Sequence, residues 1–187
     1  MKNTKVKRMV GIAIMSAIVV ILQLLGQFIK IGPMVSISLV LIPIVVGAAM
    51  YGPGAGAILG AVFSVVVLSQ PDTAFFYGVS VFGTVVTVLV KGICAGWLAG
   101  LVFRALAKKS EWLAVLMAAA VCPVVNTGIF AVGCRLFFWE ALAEVGGGNA
   151  LVYLFTVMIG FNFIAEFVTN MICSPIIVRI LHAAKLN

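Results

Sequence analysis

Polar side chains recur four residues apart in one apolar stretch near the C-terminus, GFNFIAEFVTN at residues 160–170. Asn162, Glu166 and Asn170 would lie along one face of an α-helix, because four residues advance the chain about 40° past a full turn. A carboxylate between two amides can make several hydrogen bonds with a polar partner. Since a charged group inside an apolar helix is costly to bury, the stripe predicts either a polar binding site or an internal ion pair.

A second ionisable residue, Lys91, lies in another apolar stretch, at about the same depth as Glu166 when both are counted along their helices. Asn126 and Thr127, in CPVVNTGIF, fall close to that level too. Two interpretations remain open. In one, a Lys91–Glu166 ion pair and amide crosslinks hold the helices together; in the other, the polar side chains line a cavity that receives a small hydrophilic solute.

Catalytic chemistry has little support in the residues present. His182 is the single histidine of the chain, so the sequence offers neither a serine–histidine pair nor a histidine metal triad. The cysteines are scattered singly, without a C-x-x-C pair, and the chain carries no P-loop sequence. We therefore expect a protein that is not an enzyme, with no metal and no cofactor. If it moves a solute uphill, the energy would come from an ion gradient or from partner subunits that hydrolyse ATP.

Membrane-spanning helices are the elements predicted to position these residues. Hydrophobic residues make up 64% of the 187 residues and charged residues 9%, and the mean hydropathy is +1.29, far from the values of a soluble domain. Six apolar segments approach the length needed to cross a bilayer, at about residues 8–28, 37–51, 54–70, 79–106, 112–137 and 150–182. The sequence predicts an all-α polytopic membrane protein, a single domain of six transmembrane helices over residues 1–187, whose first helix is retained rather than cleaved.

Charge distribution sets the predicted orientation. With six spans, most basic residues fall on one side: Lys2, Lys5, Lys7, Arg8, Arg104, Lys108, Lys109, Arg179 and Lys185. The other side carries Lys30 and Arg135 beside Asp72, Glu140 and Glu144. By the positive-inside rule, both termini are expected in the cytoplasm. The net charge of +7 is thus explained by membrane orientation, and nucleic acid is not expected as a partner.

Small residues at intervals of four mark faces for close helix packing. Two glycine ladders, at residues 52, 56 and 60 and at residues 92, 96 and 100, are predicted to pack inside the bundle. Ala13 and Ala17 form a similar flat face on the first helix, which could pack internally or receive a helix of another protein.

Aromatic side chains cluster near the predicted outer ends of the third to sixth spans: Phe75, Phe76, Tyr77, Phe82, Phe137, Phe138, Trp139 and Tyr153. They favour a cavity for a solute, although aromatic belts also form at any membrane interface.

Four stretches, in this order and spacing, carry a resemblance to a known family. They are RMVGIAIMSAIVVILQLL with its Ala13-x-x-x-Ala17, SISLVLIPIVVGAAMYGPGAGAILGAVFS, CPVVNTGIF and NFIAEFVTNMICSPIIVRIL. The sequence resembles the substrate-binding (S) components of energy-coupling factor transporters, small six-helix bacterial membrane proteins that capture vitamins and related micronutrients.

The resemblance implies a division of labour. Ala13 and Ala17 would dock against a membrane scaffold subunit that carries two cytoplasmic ATPases, and Lys91, Asn126, Asn162 and Glu166 would contact the solute in the outward half of a bacterial plasma-membrane protein. Asn170, one turn deeper, would be structural. Two alternatives stay open: a structural or assembly protein with a sealed, ion-paired core, and a proton-coupled secondary transporter that uses Glu166.

Overall fold

The computed structural model of the chain describes residues 2–26 and 39–185, which fold into helices without β-strand. In chain order these are α1 (Lys2–Gly26), α2 (Leu41–Tyr51), α3 (Pro53–Leu68), a 3-10 turn (Pro71–Thr73), α4 (Ala74–Val79), α5 (Val81–Leu106), α6 (Glu111–Phe137), α7 (Trp139–Val145), α8 (Ala150–Tyr153), a π-helical segment (Leu154–Gly160) and α9 (Phe161–Lys185). The all-α prediction is confirmed for the described residues. The sixth predicted segment, expected as one helix, is interrupted by the π-helical segment.

Four stretches are long and apolar enough to cross a bilayer: Lys5–Gly26, Val81–Leu106, Glu111–Phe137 and Ala150–Ala183. A fifth crossing results if Pro53–Leu68 and Pro71–Val79, which meet at an angle of 79°, form one span. By length and composition, the described residues therefore make a polytopic membrane protein with four or five spans. Six spans with cytoplasmic termini stay a prediction.

The second predicted segment is the short one. Helix α2 has 11 residues, which is about 17 Å, against roughly 30 Å of hydrocarbon. The predicted start of this segment, the end of the first segment and Lys30 all fall within residues 27–38, outside the described residues.

Helix boundaries follow local sequence signals. Ser80 and Ser110 cap α5 and α6, since their hydroxyl oxygens accept hydrogen bonds from the backbone N–H groups of Gly83 at 3.1 Å and Leu113 at 3.3 Å. Between α2 and α3 the chain turns at Gly52, whose φ of 90° favours glycine, and Pro53 starts the next helix. Gly52 therefore forms the tight turn that the Gly and Pro of YGPG predict, but it does not take part in the packing predicted for it as the first member of its glycine ladder.

The rest of the two glycine ladders brings α3 and α5 together. A Cβ atom added to Gly56 would overlap the Gly96 carbonyl, and one added to Gly60 would overlap the Gly92 carbonyl. One turn further along, the Ser64 hydroxyl donates a hydrogen bond of 2.7 Å to the Val88 carbonyl across the same interface. The predicted internal packing of these glycines is confirmed.

Substituting Gly60 by alanine should lower the melting temperature of the detergent-purified protein, because the new methyl group forces two helix backbones apart at a cost of about 1–3 kcal/mol. Gly128→Ala is the matched control, since a Cβ atom there meets nothing within 4 Å and alanine favours a helix. Equal melting temperatures for the two variants would contradict the packing described here.

The basic ends of several helices meet at one end of the bundle. The first turns of α1 lie near the end of α2, where Gly11 approaches Tyr51, and Pro53 approaches Gly100 of α5. At the same end, the His182 Nε2 atom of α9 lies 3.3 Å from the Glu111 Oε2 atom of α6. We call this the basic end, because Lys5, Lys7, Arg8, Arg104, Lys108 and Lys109 lie on the helix turns and the loop found there.

Two apolar cores divide the interior. One core, toward the basic end, joins α2, α3, α5, α6 and α9 around residues such as Ile44, Leu59 and Val115. The other core, at the opposite end, packs Phe76, Phe138 and Leu142 beneath the short helices. The polar residues singled out from the sequence lie between the two cores.

Candidate functional site

A cavity of about 410 Å³ separates the two cores. Helices α1, α3, α4, α5, α6, α8 and α9, the 3-10 turn and the π-helical segment all contribute to its wall. The polar part of the wall consists of Gln23, Gln70, Asp72, Thr73, Thr84, Thr87, Lys91, Asn126, Thr127, Tyr153, Asn162 and Glu166. The four residues predicted to contact a solute, Lys91, Asn126, Asn162 and Glu166, are thus brought together from three helices.

Lys91 projects from α5 between two aromatic rings. Its Nζ atom lies 5.0 Å from the ring centre of Phe130 and 5.9 Å from that of Phe63, so both rings can stabilise the ammonium group by cation–π attraction. Within the described residues Lys91 makes no ion pair, because no carboxylate oxygen lies within 4.0 Å of it. The direct Lys91–Glu166 ion pair, one of the two sequence interpretations, is not formed.

Glu166 and Asn162 lie one turn apart on α9, and both line the cavity. The charges of Glu166 and Lys91 influence each other electrostatically without direct contact. Asn170, the third member of the polar stripe, lies outside the cavity wall and is only 1% exposed. Its Nδ2 atom donates a hydrogen bond of 3.0 Å to the Glu166 carbonyl, while its Oδ1 atom is buried without a partner among the described residues. The structural role expected for Asn170 stays a prediction.

Two buried polar atoms at the cavity have no hydrogen-bond partner among the described residues. They are Oδ1 of Asn126, whose residue is 7% exposed, and Oγ1 of Thr87, whose residue is 4% exposed. The neighbouring Thr84 differs, because its hydroxyl donates a 2.7 Å hydrogen bond to the Ser80 carbonyl of its own helix turn. A buried polar atom without a partner costs about 1–3 kcal/mol. The Asn126 side chain belongs to the cavity wall, whereas the Thr87 hydroxyl packs against Gly133 of α6.

Aromatic rings form much of the apolar wall. Phe76 lies at the centre of this group, with its ring centre 5.0 Å from that of Phe138 and 5.7 Å from that of Phe130. Of the eight aromatic residues noted in the sequence, Phe76, Phe138 and Tyr153 line the cavity; Phe75, Tyr77, Phe82, Phe137 and Trp139 do not. The cavity therefore offers both polar groups and flat apolar surfaces to a small molecule.

A family profile described as "ECF transporter, substrate-specific component" matches residues 7–178. The chain belongs to this family. No curated protein and no solved structure matches the chain significantly. The resemblance seen in the sequence is confirmed, and the protein is the substrate-specific component, or S component, of an ECF transporter.

The cavity wall of the S component also contains residues that the sequence did not single out. Thr84, Thr87 and Lys91 follow one another at intervals of three and four, the spacing that places residues on one helix face. This spacing could have identified both threonines as neighbours of Lys91. Phe63 and Phe130 carry no comparable sequence signal, because apolar aromatic residues are common throughout such helices.

A pair of amides joins two distant parts of the S component at the cavity wall. The Gln23 Nε2 atom donates a 3.0 Å hydrogen bond to the Gln70 Oε1 atom, and the Gln70 Nε2 atom donates a 3.3 Å bond to the Gln23 carbonyl. These contacts connect the end of α1 to the turn after α3. The two glutamines are 47 residues apart, so the sequence gives no indication that they meet.

Ala13 and Ala17 of the S component lie away from the cavity. Both are exposed on α1, and their neighbours Val10, Ile14 and Ile21 are exposed as well. The small-residue face therefore points out of the bundle, to lipid or to another protein, and is not used for internal packing.

Proposed function

We propose that this protein captures a water-soluble vitamin or related micronutrient from outside the cell, as the substrate-binding subunit of an ECF-type importer. The observation that carries the proposal is a cavity whose wall brings Lys91, Asn126, Asn162 and Glu166 together. A solute in this cavity would contact these four residues. A sealed, ion-paired core is disfavoured because Lys91 and Glu166 line a cavity instead of pairing directly.

The proposed topology has six spans with both termini in the cytoplasm of a bacterial cell. In its support, the start of α1 and the end of α9 lie at the same, basic end, which requires an even number of crossings. The basic residues at this end favour a cytoplasmic location by the positive-inside rule. The cavity lies beyond the core at the basic end, which fits a site that is loaded from outside.

Cysteine labelling tests the topology. In a variant whose native cysteines are replaced by serine, a cysteine at position 109 should react with a membrane-impermeant maleimide only after the cells are opened. A cysteine at position 144 should react in intact cells, because Glu144 is exposed at the end opposite the basic end. The reverse pattern would contradict the orientation.

The proposed partners are a membrane scaffold subunit and two cytoplasmic ATPases. Within the S component, Ala13 and Ala17 would form the docking face, since they make a flat, exposed and apolar strip on α1. ATP hydrolysis by the partners would supply the energy for delivery of the solute into the cell.

Solute capture is tested by native mass spectrometry of the purified protein and by thermal unfolding with a panel of vitamins that includes pantothenate, riboflavin and folate. A retained small molecule, or a compound that raises the melting temperature, is the expected result, because ligands that bind only the folded state stabilise it. An empty cavity in every preparation and no stabilising compound would favour the structural alternative. Uptake that persists in cells without the ATPases would favour a proton-coupled transporter.

A further inference from the structure

We infer that the solute is a zwitterion, with an anionic group that meets Lys91 and a cationic group that meets Glu166. This inference rests on the proposed function of the cavity and adds the charge of its substrate. Each of these two charged residues lacks a direct partner of opposite charge within the described part of the protein.

Lys91 lacks an anion. Its Nζ atom faces the rings of Phe130 and Phe63, with distances of 5.0 Å and 5.9 Å to the ring centres. Ring faces attract a cation but do not accept the strong hydrogen bonds that an ammonium group makes with water or a carboxylate. No hydrogen bond or ion pair connects its ammonium group to another described residue. A negatively charged group that enters the cavity would supply both the hydrogen bonds and the ion pair.

Glu166 lacks a cation and a donor. The hydrogen bond from Asn170 goes to its backbone carbonyl, and its side-chain carboxylate has no hydrogen-bond donor or ion-pair partner among the described residues. Lys91 acts on it through space alone. Asp72 also lines the cavity. Because it already interacts with another group of the protein, we do not count it as a carboxylate available to the solute.

A solute with one sign of charge would fit this wall poorly. An anion would pair with Lys91 but would be repelled by the like charge of Glu166. A cation would pair with Glu166 but would be repelled by Lys91. An uncharged solute would leave Lys91 and Glu166 to compensate each other only through space. A zwitterion pairs with both at once.

The experiment identifies the charge of whatever the protein selects. The purified wild-type protein is incubated with the low-molecular-weight fraction of a rich growth medium, washed and denatured, and the released solute is analysed by electrophoresis and mass spectrometry. We expect a solute that does not migrate at neutral pH and moves as a cation at acidic pH. A solute that migrates with one sign at neutral pH, or that stays uncharged at acidic and alkaline pH, would overturn the inference while the proposed capture function stands. If no solute is retained, the capture function itself fails.

Matched variants test the two contacts. Lys91→Met and Glu166→Gln should each weaken binding of the retained solute at least about 30-fold, because each leaves one charge of the solute buried without its partner. Lys108→Met and Glu144→Gln remove the same charges at exposed positions and should bind like the wild type. Wild-type affinity in both cavity variants would overturn the inference. If a cavity variant does not fold, the charge of the solute released from the wild-type protein still tests the inference.

Discussion

Cells that carry the Ala17→Trp variant should lose solute uptake, while the purified variant should bind the solute with wild-type affinity. The indole ring would stand out from the flat strip formed with Ala13, where a close approach of another helix needs small side chains. Since Ala17 is exposed and does not line the cavity, the substitution leaves both the bundle and the binding site unchanged. The defect is therefore expected in docking to the scaffold subunit alone.

Two measurements separate docking from binding. The first is co-purification of scaffold and ATPases with the tagged S component from the membrane, which should fall below detection for Ala17→Trp and for Ala13→Trp. The second is solute binding by the isolated protein, which should not change. Ile172→Trp is the matched control, because Ile172 is 70% exposed on α9. The substitution introduces the same indole ring on another lipid-facing surface. Uptake that survives both alanine substitutions would refute the docking role.

Much of the helical architecture could be predicted because it depends on local chemistry. Long apolar segments form helices in lipid, where every backbone polar group needs an internal partner, and Ser80 and Ser110 start α5 and α6 by ordinary capping. The break at Leu154–Gly160 was missed, because a change from α to π hydrogen bonding has no marker in this apolar run. The turn at YGPG could be predicted from its Gly and Pro, and only the second assignment of Gly52, to the glycine ladder, was wrong.

The candidate site could be predicted in outline for a different reason. Polar residues are so rare in these helices that Lys91, Asn126 and Glu166 could be placed at a common depth by counting residues from the helix ends. The counting does not say whether two charges touch, and in the structure Lys91 and Glu166 line the same cavity without forming an ion pair. Contacts such as that between Gln23 and Gln70 depend on how α1 packs beside α3, and no local sequence pattern predicts this packing.

Replacing Asn126 by leucine should have effects of opposite sign on stability and on binding. In the absence of solute, the melting temperature should stay the same or rise, because Oδ1 of Asn126 is buried without a partner and removing it removes a desolvation cost. Affinity for the solute should fall about 10- to 100-fold, since the solute would lose the hydrogen bond that the Asn126 amide makes to it, at a cost of about 1–3 kcal/mol.

An unchanged or higher melting temperature together with a lower affinity distinguishes a binding role of Asn126 from a structural one. An asparagine that holds helices together would cost stability when replaced, and any loss of affinity would then follow from loss of the fold. Val124→Leu provides the matched control on the same helix, because Val124 is 48% exposed on another face of α6 and does not line the cavity. For each variant, thermal unfolding without solute gives the melting temperature, and titration with the retained solute gives the affinity. A lower melting temperature for Asn126→Leu with unchanged affinity would mean that the buried amide stabilises the bundle, and that the solute is held by the other residues of the wall.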